Sequence, residues 1–233
     1  MKPLLNIALI AISVVSVAAL FLAHEDPFAR EAVCAHTGFC PVMPNAKAWY
    51  KILYDLAVGS LVTVFFYLLV VRLPDYQRRQ RLKRSLERHY KDFRKDCIQI
   101  MLLVAAGTYS PDAPEALIEQ DAFRDYFREK VATGGDRWDE FQNKLDEHHL
   151  RELLTRMEIF RDELTFVLNN TEIPKDEPFE FLKRLSAAIY SMKDVTLRYD
   201  ESLADLLWSI FAGWDFITGS RKQDIIKKMI DAI

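Results

Sequence analysis

Glycine, cysteine and the short motifs of catalysis are scarce in this 233-residue chain, which has 7 glycines and 3 cysteines. Neither GxGxxG nor GxxxxGK(S/T), the patterns that hold phosphate groups, occurs in it. The zinc patterns HExxH and CxxC and the nucleophile pattern GxSxG are also missing. These absences argue against the common nucleotide-binding, zinc and hydrolase classes. We therefore predict a protein that is not an enzyme and has no cofactor.

The Asp-Glu-His-His stretch that ends at His149 comes nearest to a cluster of metal ligands. Successive residues on a helix point about 100° apart, so His148 and His149 do not share a face. A solvated charged surface is the better interpretation, and we predict no metal site.

Charge is distributed unevenly along the chain. Residues 73–95 contain nine Lys or Arg against three Asp or Glu, whereas residues 96–233 contain 17 against 27. Binding of nucleic acid over a broad surface needs a basic footprint. The acidic distal part is therefore a poor candidate for direct nucleic-acid binding.

Two long apolar runs dominate the N-terminal third of the sequence. A membrane core of about 30 Å needs about 20 helical residues, and each run has nearly that length. We predict transmembrane helices over 4–23 and 53–72, joined by a loop over 24–52, in a membrane module that ends at residue 74. The alternative for the first run is a cleaved signal peptide, but its length exceeds the usual apolar region of such peptides.

Basic residues follow the second apolar run closely, and the nearest are Arg78, Arg79, Arg81, Lys83 and Arg84. The positive-inside rule therefore predicts a multi-pass protein of the bacterial inner membrane, with the N-terminus and the C-terminal domain in the cytoplasm. These side chains either contact anionic lipid headgroups or form a solvated face that only sets topology.

The three cysteines fall in two predicted compartments. Cys34 and Cys40 lie in the outer loop, where they either form a disulfide or remain two free thiols. Cys97 lies on an apolar stripe on the inner side, and we predict that it is a core residue.

Gly59 and Thr63 form a small-xxx-small pair in the second run, suited either to packing within the hairpin or to self-association. Most faces of two apolar helices meet lipid, so one chain cannot enclose a water-filled pore. A conducting state would require an oligomer.

Residues 75–233 show helical rather than strand periodicity. After a break at Leu73-Pro74, one apolar stripe runs through Leu82, Leu86, Tyr90, Phe93, Cys97, Ile100 and Val104. A single long helix from about Asp136 is predicted to carry Trp138, Phe141, Leu145, Leu150, Leu153, Met157, Phe160, Leu164 and Val167. The predicted fold is all-α, with a two-helix transmembrane hairpin followed by a cytoplasmic helical bundle.

The layout, and residues 49–74 in particular, resembles a known family. The stretch WYKILYDL (49–56) leads into FFYLLVVRLP (65–74) and then into a basic helical domain. In this the chain is similar to the two-transmembrane effector proteins of bacterial retron anti-phage defence systems.

The resemblance implies a toxin-like effector that a complex of reverse transcriptase and multicopy single-stranded DNA (msDNA) holds inactive, mainly through protein contacts. Released effector would damage the inner membrane, in a homo-oligomeric state, and cause abortive infection. The alternative is a membrane-tethered scaffold or sensor that recruits a cytoplasmic partner. A transporter subunit is disfavoured because the two runs lack buried polar groups for a substrate path.

Overall fold

A computed structural model describes residues 2–23, 46–132, 134–196, 201–215, 219–220 and 223–233. Its helices are α1 (Lys2–Ala23), α2 (Ala46–Tyr67), α3 (Leu73–Ala106), α4 (Ala113–Ala116), α5 (Gln120–Phe127), α6 (Arg137–Lys144), α7 (Glu147–Asn170), α8 (Asp176–Ser191), α9 (Glu201–Ala212) and α10 (Ile225–Asp231). Two-residue strands β1 (Trp214–Asp215) and β2 (Gly219–Ser220) pair antiparallel. The predicted all-α class is confirmed.

The chain divides into an N-terminal unit, Met1–Arg78, and a helical domain, Arg79–Ile233. In the N-terminal unit α1 packs against α2. Among the residues that the structure describes, one helical stretch, Lys51–Ala106, is long and apolar enough to cross a membrane, with an 18-residue window of mean hydropathy 2.2 that is only 6% buried. Helix α1 contains a shorter apolar stretch, Ile7–Leu20.

The predicted helix break at Leu73-Pro74 is wrong. A π-helical segment, Leu68–Arg72, joins α2 directly to α3, and the Leu73 amide donates to the carbonyl of Leu68, five residues back. Proline has no amide hydrogen, and its ring crowds the carbonyl four residues earlier. A wider turn moves that carbonyl aside, so the chain passes Pro74 without losing helical conformation.

Helix α3 supplies a large share of the core of the helical domain. The apolar stripe predicted for it is confirmed, since Leu86, Tyr90, Phe93, Cys97 and Val104 are buried and Leu82 and Ile100 are partly buried against the same core. The end of the helix is marked by Gly107, whose φ of 74° is readily available to glycine.

The single long helix predicted from Asp136 is instead two helices, α6 and α7. Asp136 caps α6 by accepting from the Asp139 amide, and Asp146 caps α7 by accepting from the His149 amide at 2.8 Å. An N-cap residue has an extended backbone, so a second cap at Asp146 interrupts the helix. The apolar stripe predicted from Leu150 to Val167 is buried as expected.

Aromatic rings fill the centre of the helical domain. Phe93 stacks on Phe160 with centroids 4.8 Å apart, and Phe211 lies 5.6 Å from Phe93. Trp138 and Trp208 lie 4.9 Å apart in the same core. Phe123 of α5 lies 5.5 Å from Phe211 and 6.3 Å from Trp138, so rings from five helices meet in one cluster and fix these helices against each other.

Candidate membrane surface and charged cleft

The N-terminal unit exposes its apolar side chains. Among the side chains that the structure describes in this unit, only Ser16 and Ala57 are buried. The exposed apolar residues include Ile7, Ile10, Val14 and Val15 on α1 and Leu56, Val62, Phe65 and Phe66 on α2. An exposed apolar surface of this extent is typical of contact with lipid or with another protein.

Two hydroxyl groups on these helices donate within their own helix. Ser13 donates to the carbonyl of Leu9 and Thr63 to the carbonyl of Gly59, each at 2.8 Å. A bonded hydroxyl avoids the cost of an unpaired polar group in hydrocarbon. A Cβ added at Gly59 would meet no atom within 4 Å. The predicted pair of Gly59 and Thr63 is therefore on an exposed face of α2, where Gly59 makes no close approach to α1.

The predicted juxtamembrane cations have different positions on α3. Arg78, Arg81 and Arg84 are exposed, and Arg84 donates to the Gln80 carbonyl of its own helix at 3.2 Å. In contrast, Arg79 donates to the carbonyl of Glu172, after the end of α7, and Lys83 donates to the carbonyl of Asp231, the last residue of α10. Arg79 and Lys83 thus connect helical elements that are distant in the sequence.

Farther along α3, the Arg94 side chain is buried in the core, with the residue only 1% exposed. Its Nη1 donates to the Ile210 carbonyl at 3.0 Å, and its Nη2 donates to the Ile118 carbonyl at 2.6 Å and to the Phe211 carbonyl at 3.2 Å. The last carbonyls of a helix have no partner within it. Arg94 therefore caps the C-terminal end of α9 from inside the core.

Buried Tyr90 and partly buried Asp224 complete this polar group. The Tyr90 hydroxyl donates to Asp224 Oδ2 at 2.7 Å and accepts from Arg94 Nη1 at 3.2 Å. Burial raises the pKa of the Tyr90 phenol well above its ordinary value, so the hydroxyl keeps its proton. The other oxygen of Asp224 accepts from the Ile226 and Lys227 amides and caps α10.

Gln120 and Gly213 fit closely at the same end of α9. Gln120 Nε2 donates to the Ile210 carbonyl at 3.2 Å. Gly213 has a φ of 64°, and a Cβ there would lie 2.4 Å from Gln120 Oε1. Only glycine suits this position, both for its backbone conformation and for the close approach.

A cleft of about 520 Å³ lies beside Arg94, between α3, α5 and α10. Six carboxylates and three cations line it, namely Glu87, Glu115, Glu119, Asp121, Asp224 and Asp231, and Lys91, Arg94 and Lys227. Glu115 pairs with Lys91 at 2.6 Å and with Lys95 at 3.2 Å. The hydrogen bond from Lys91, together with that from Lys95, lowers the pKa of Glu115. Carboxylates therefore outnumber cations in the lining of this cleft.

The cysteines and the possible metal ligands are the remaining residues that the sequence analysis singled out. Cys97 is a buried free thiol, as predicted, and burial raises its pKa well above the ordinary value. Cys34 and Cys40 lie outside the described residues. Within the described part of the chain, no group of three or more His, Cys, Asp or Glu side chains is arranged to hold a metal ion.

Sequence reasoning missed Arg94, Gln120 and Asp224. Arg94 belongs to a basic run, yet it lies one residue after Phe93 and three before Cys97, on the apolar side of α3. A charged residue between two core positions was the available signal.

A comparison of the chain with family models, curated proteins and solved structures finds no match.

Proposed function

We propose that this chain is a membrane effector whose apolar helices α1 and α2 act on the bilayer as a two-helix hairpin. The observation that carries the proposal is the exposure of apolar side chains along α2, where the most apolar 18-residue window is only 6% buried. Exposure of such an apolar surface to water would cost a large free energy. Lipid is the natural environment for such a surface.

The proposed topology is multi-pass in the bacterial inner membrane, with the N-terminus and the helical domain in the cytoplasm. The cations of α3 that follow the apolar stretch support it, since Lys and Arg are enriched on the cytoplasmic side. The active state is proposed to be a homo-oligomer that meets through the open face around Gly59. Cross-linking of the full chain in bilayers tests this point, and a monomer under conditions of membrane damage would contradict it.

The resemblance to retron effectors supplies the proposed context. In that context a reverse transcriptase and its msDNA restrain the chain through contacts with the helical domain, and release leads to membrane damage and abortive infection. The acidic cleft supports a contact with a basic protein partner, because complementary charge favours encounter and orientation.

Expression of the full chain alone, with a potential-sensitive dye, tests the effector proposal. We expect depolarisation and growth arrest, and suppression of both by a reverse transcriptase and msDNA encoded beside the gene. The matched control replaces α1 and α2 by an unrelated two-helix anchor and should leave the potential intact. Normal potential and growth in cells that carry the unaltered chain, including during phage infection, would contradict the proposal.

A membrane-tethered scaffold is the second candidate, and the charged cleft of the helical domain favours it. A scaffold needs an anchor but no particular apolar sequence. The anchor-swapped variant separates the two candidates, since a scaffold would still protect cells from phage and an effector would not.

A further inference from the structure

Arg79 and Lys83 occupy positions that an anionic bilayer would also favour. They follow Arg72 by seven and eleven positions in the sequence, within the basic run that comes after the apolar stretch. Basic side chains that follow an apolar membrane stretch closely in the sequence are attracted by the phosphate groups of anionic lipids.

In the structure both side chains instead bind carbonyl oxygens from the distal part of the chain. Arg79 donates to Glu172 in the α7–α8 connection, and Lys83 donates to Asp231 at the end of α10. The carbonyl end of a helix carries partial negative charge, which a cation stabilises. Both bonds are at the surface, so water and other anions can compete for the same donors.

Helix α10 is the element most affected by such competition. It has only seven residues, and a helix this short depends on its caps and its packing. Asp224 caps its first turn, Lys83 binds its last carbonyl, and Ile226, Met229 and Ile230 pack into the core. Loss of the Lys83 bond would leave its C-terminal end without that partner.

We propose that Arg79 and Lys83 bind the phosphate groups of an anionic bilayer, and that this binding competes with their bonds to Glu172 and Asp231. Anionic lipid then loosens the end of α10 and the α7–α8 connection, while a neutral bilayer leaves both closed. This inference rests on the membrane anchoring proposed above. It assigns the helical domain a way to respond to the lipid composition around its own anchor.

Hydrogen exchange of the full chain in nanodiscs tests the proposal. Discs of phosphatidylcholine are compared with discs that also contain phosphatidylglycerol, at the Ala232 amide, which donates to the Lys228 carbonyl. We expect exchange to be about two- to fivefold faster in the anionic discs, the size expected for loss of one surface charge contact. Equal exchange in the two discs would overturn the proposal.

Two variants and one added salt make the test specific. Arg79→Ala with Lys83→Ala should exchange fast in both discs, whereas Arg84→Ala, which removes a cation that donates within α3, should keep the lipid dependence. Loss of the lipid dependence in Arg84→Ala would overturn the assignment to Arg79 and Lys83. Inorganic phosphate that accelerates exchange equally in neutral discs would overturn the bilayer as the ligand.

The design also separates this proposal from the anchoring on which it rests. A chain that fails to integrate into neutral discs contradicts the anchoring and this proposal together. A chain that integrates in both discs but exchanges equally contradicts only the lipid response.

Discussion

The N-terminal unit and the helical domain are both rich in apolar residues, but they place them in opposite ways. In the N-terminal unit, the apolar side chains of α1 and α2 point largely outward. In the helical domain, apolar side chains from seven helices, α3 and α5 to α10, form one buried cluster. Hydrophobic content alone therefore does not define the role of a segment. The two regions differ in whether other parts of the same chain cover their apolar side chains.

Phe160 and Phe166, on the same helix α7, offer the sharpest test of the buried side of this comparison. Phe160 is 1% exposed and stacks on Phe93, whereas Phe166 is 52% exposed. We expect Phe160→Ala to lower the free energy of unfolding by about 3–5 kcal/mol, because it removes buried apolar surface and leaves a cavity. Phe166→Ala should change it by less than about 0.5 kcal/mol.

Urea unfolding of the full chain in detergent measures both variants, with fluorescence of the packed pair Trp138 and Trp208 as the signal. If both variants lowered the free energy of unfolding by similar amounts, another surface would have to cover the face of α7 around Phe166 in solution.

Val62 and Leu103 test the opposite side of the comparison, because they are 47% and 44% exposed in the two different regions. An arginine near the centre of a transmembrane helix disfavours insertion by about 2.5–3.5 kcal/mol. We therefore expect Val62→Arg to reduce insertion of α2 strongly and to leave unfolding of the helical domain unchanged. Leu103→Arg, at a water-facing site, should leave both quantities nearly unchanged.

Glycosylation-site tagging on either side of α2 in microsomes measures insertion, and urea unfolding serves as the second readout. Full insertion of Val62→Arg would show that a protein surface rather than lipid covers α2.

Sequence reasoning succeeded where the structure follows from local periodicity and failed where the conformation of the backbone decides it. The stripe from Leu150 to Val167 was predicted because helical periodicity is a local property. The interruption before α7 was not, since apolar spacing continues through Leu145 and only the backbone at Asp146 reveals the cap. The π-helical segment before Pro74 was likewise missed, because a proline usually signals a helix end.

The role of Arg94 could not be read from its neighbours in sequence. Its carbonyl partners Ile210 and Phe211 lie 116 and 117 residues away. The basic run around it predicted a solvated or lipid-facing cation, and only tertiary packing makes this one a buried cap. The same applies to Arg79 and Lys83, whose partners come from the distal part of the chain.

Substitution of Tyr90 tests how much the polar side chains near Arg94 contribute to the stability of the helical domain. Its hydroxyl donates to Asp224 at 2.7 Å and accepts from Arg94. Tyr90→Phe keeps the ring against Phe160 and removes only the hydroxyl, so Asp224 loses a neutral donor but keeps Arg94 at 3.6 Å. We expect a loss of about 1–1.5 kcal/mol in the free energy of unfolding.

Tyr190→Phe is the matched control, because Tyr190 is exposed and its ring, which lies under Arg161, is unchanged by the substitution. It should leave urea unfolding unaltered. If Tyr90→Phe were equally neutral, Arg94 and the two α10 amides would suffice to hold Asp224. A loss well above 2 kcal/mol would instead show that the three side chains act as one cooperative network, in which removal of one member weakens the bonds between the others. The polar groups inside the helical domain would then have the same importance for its architecture as the aromatic cluster around them.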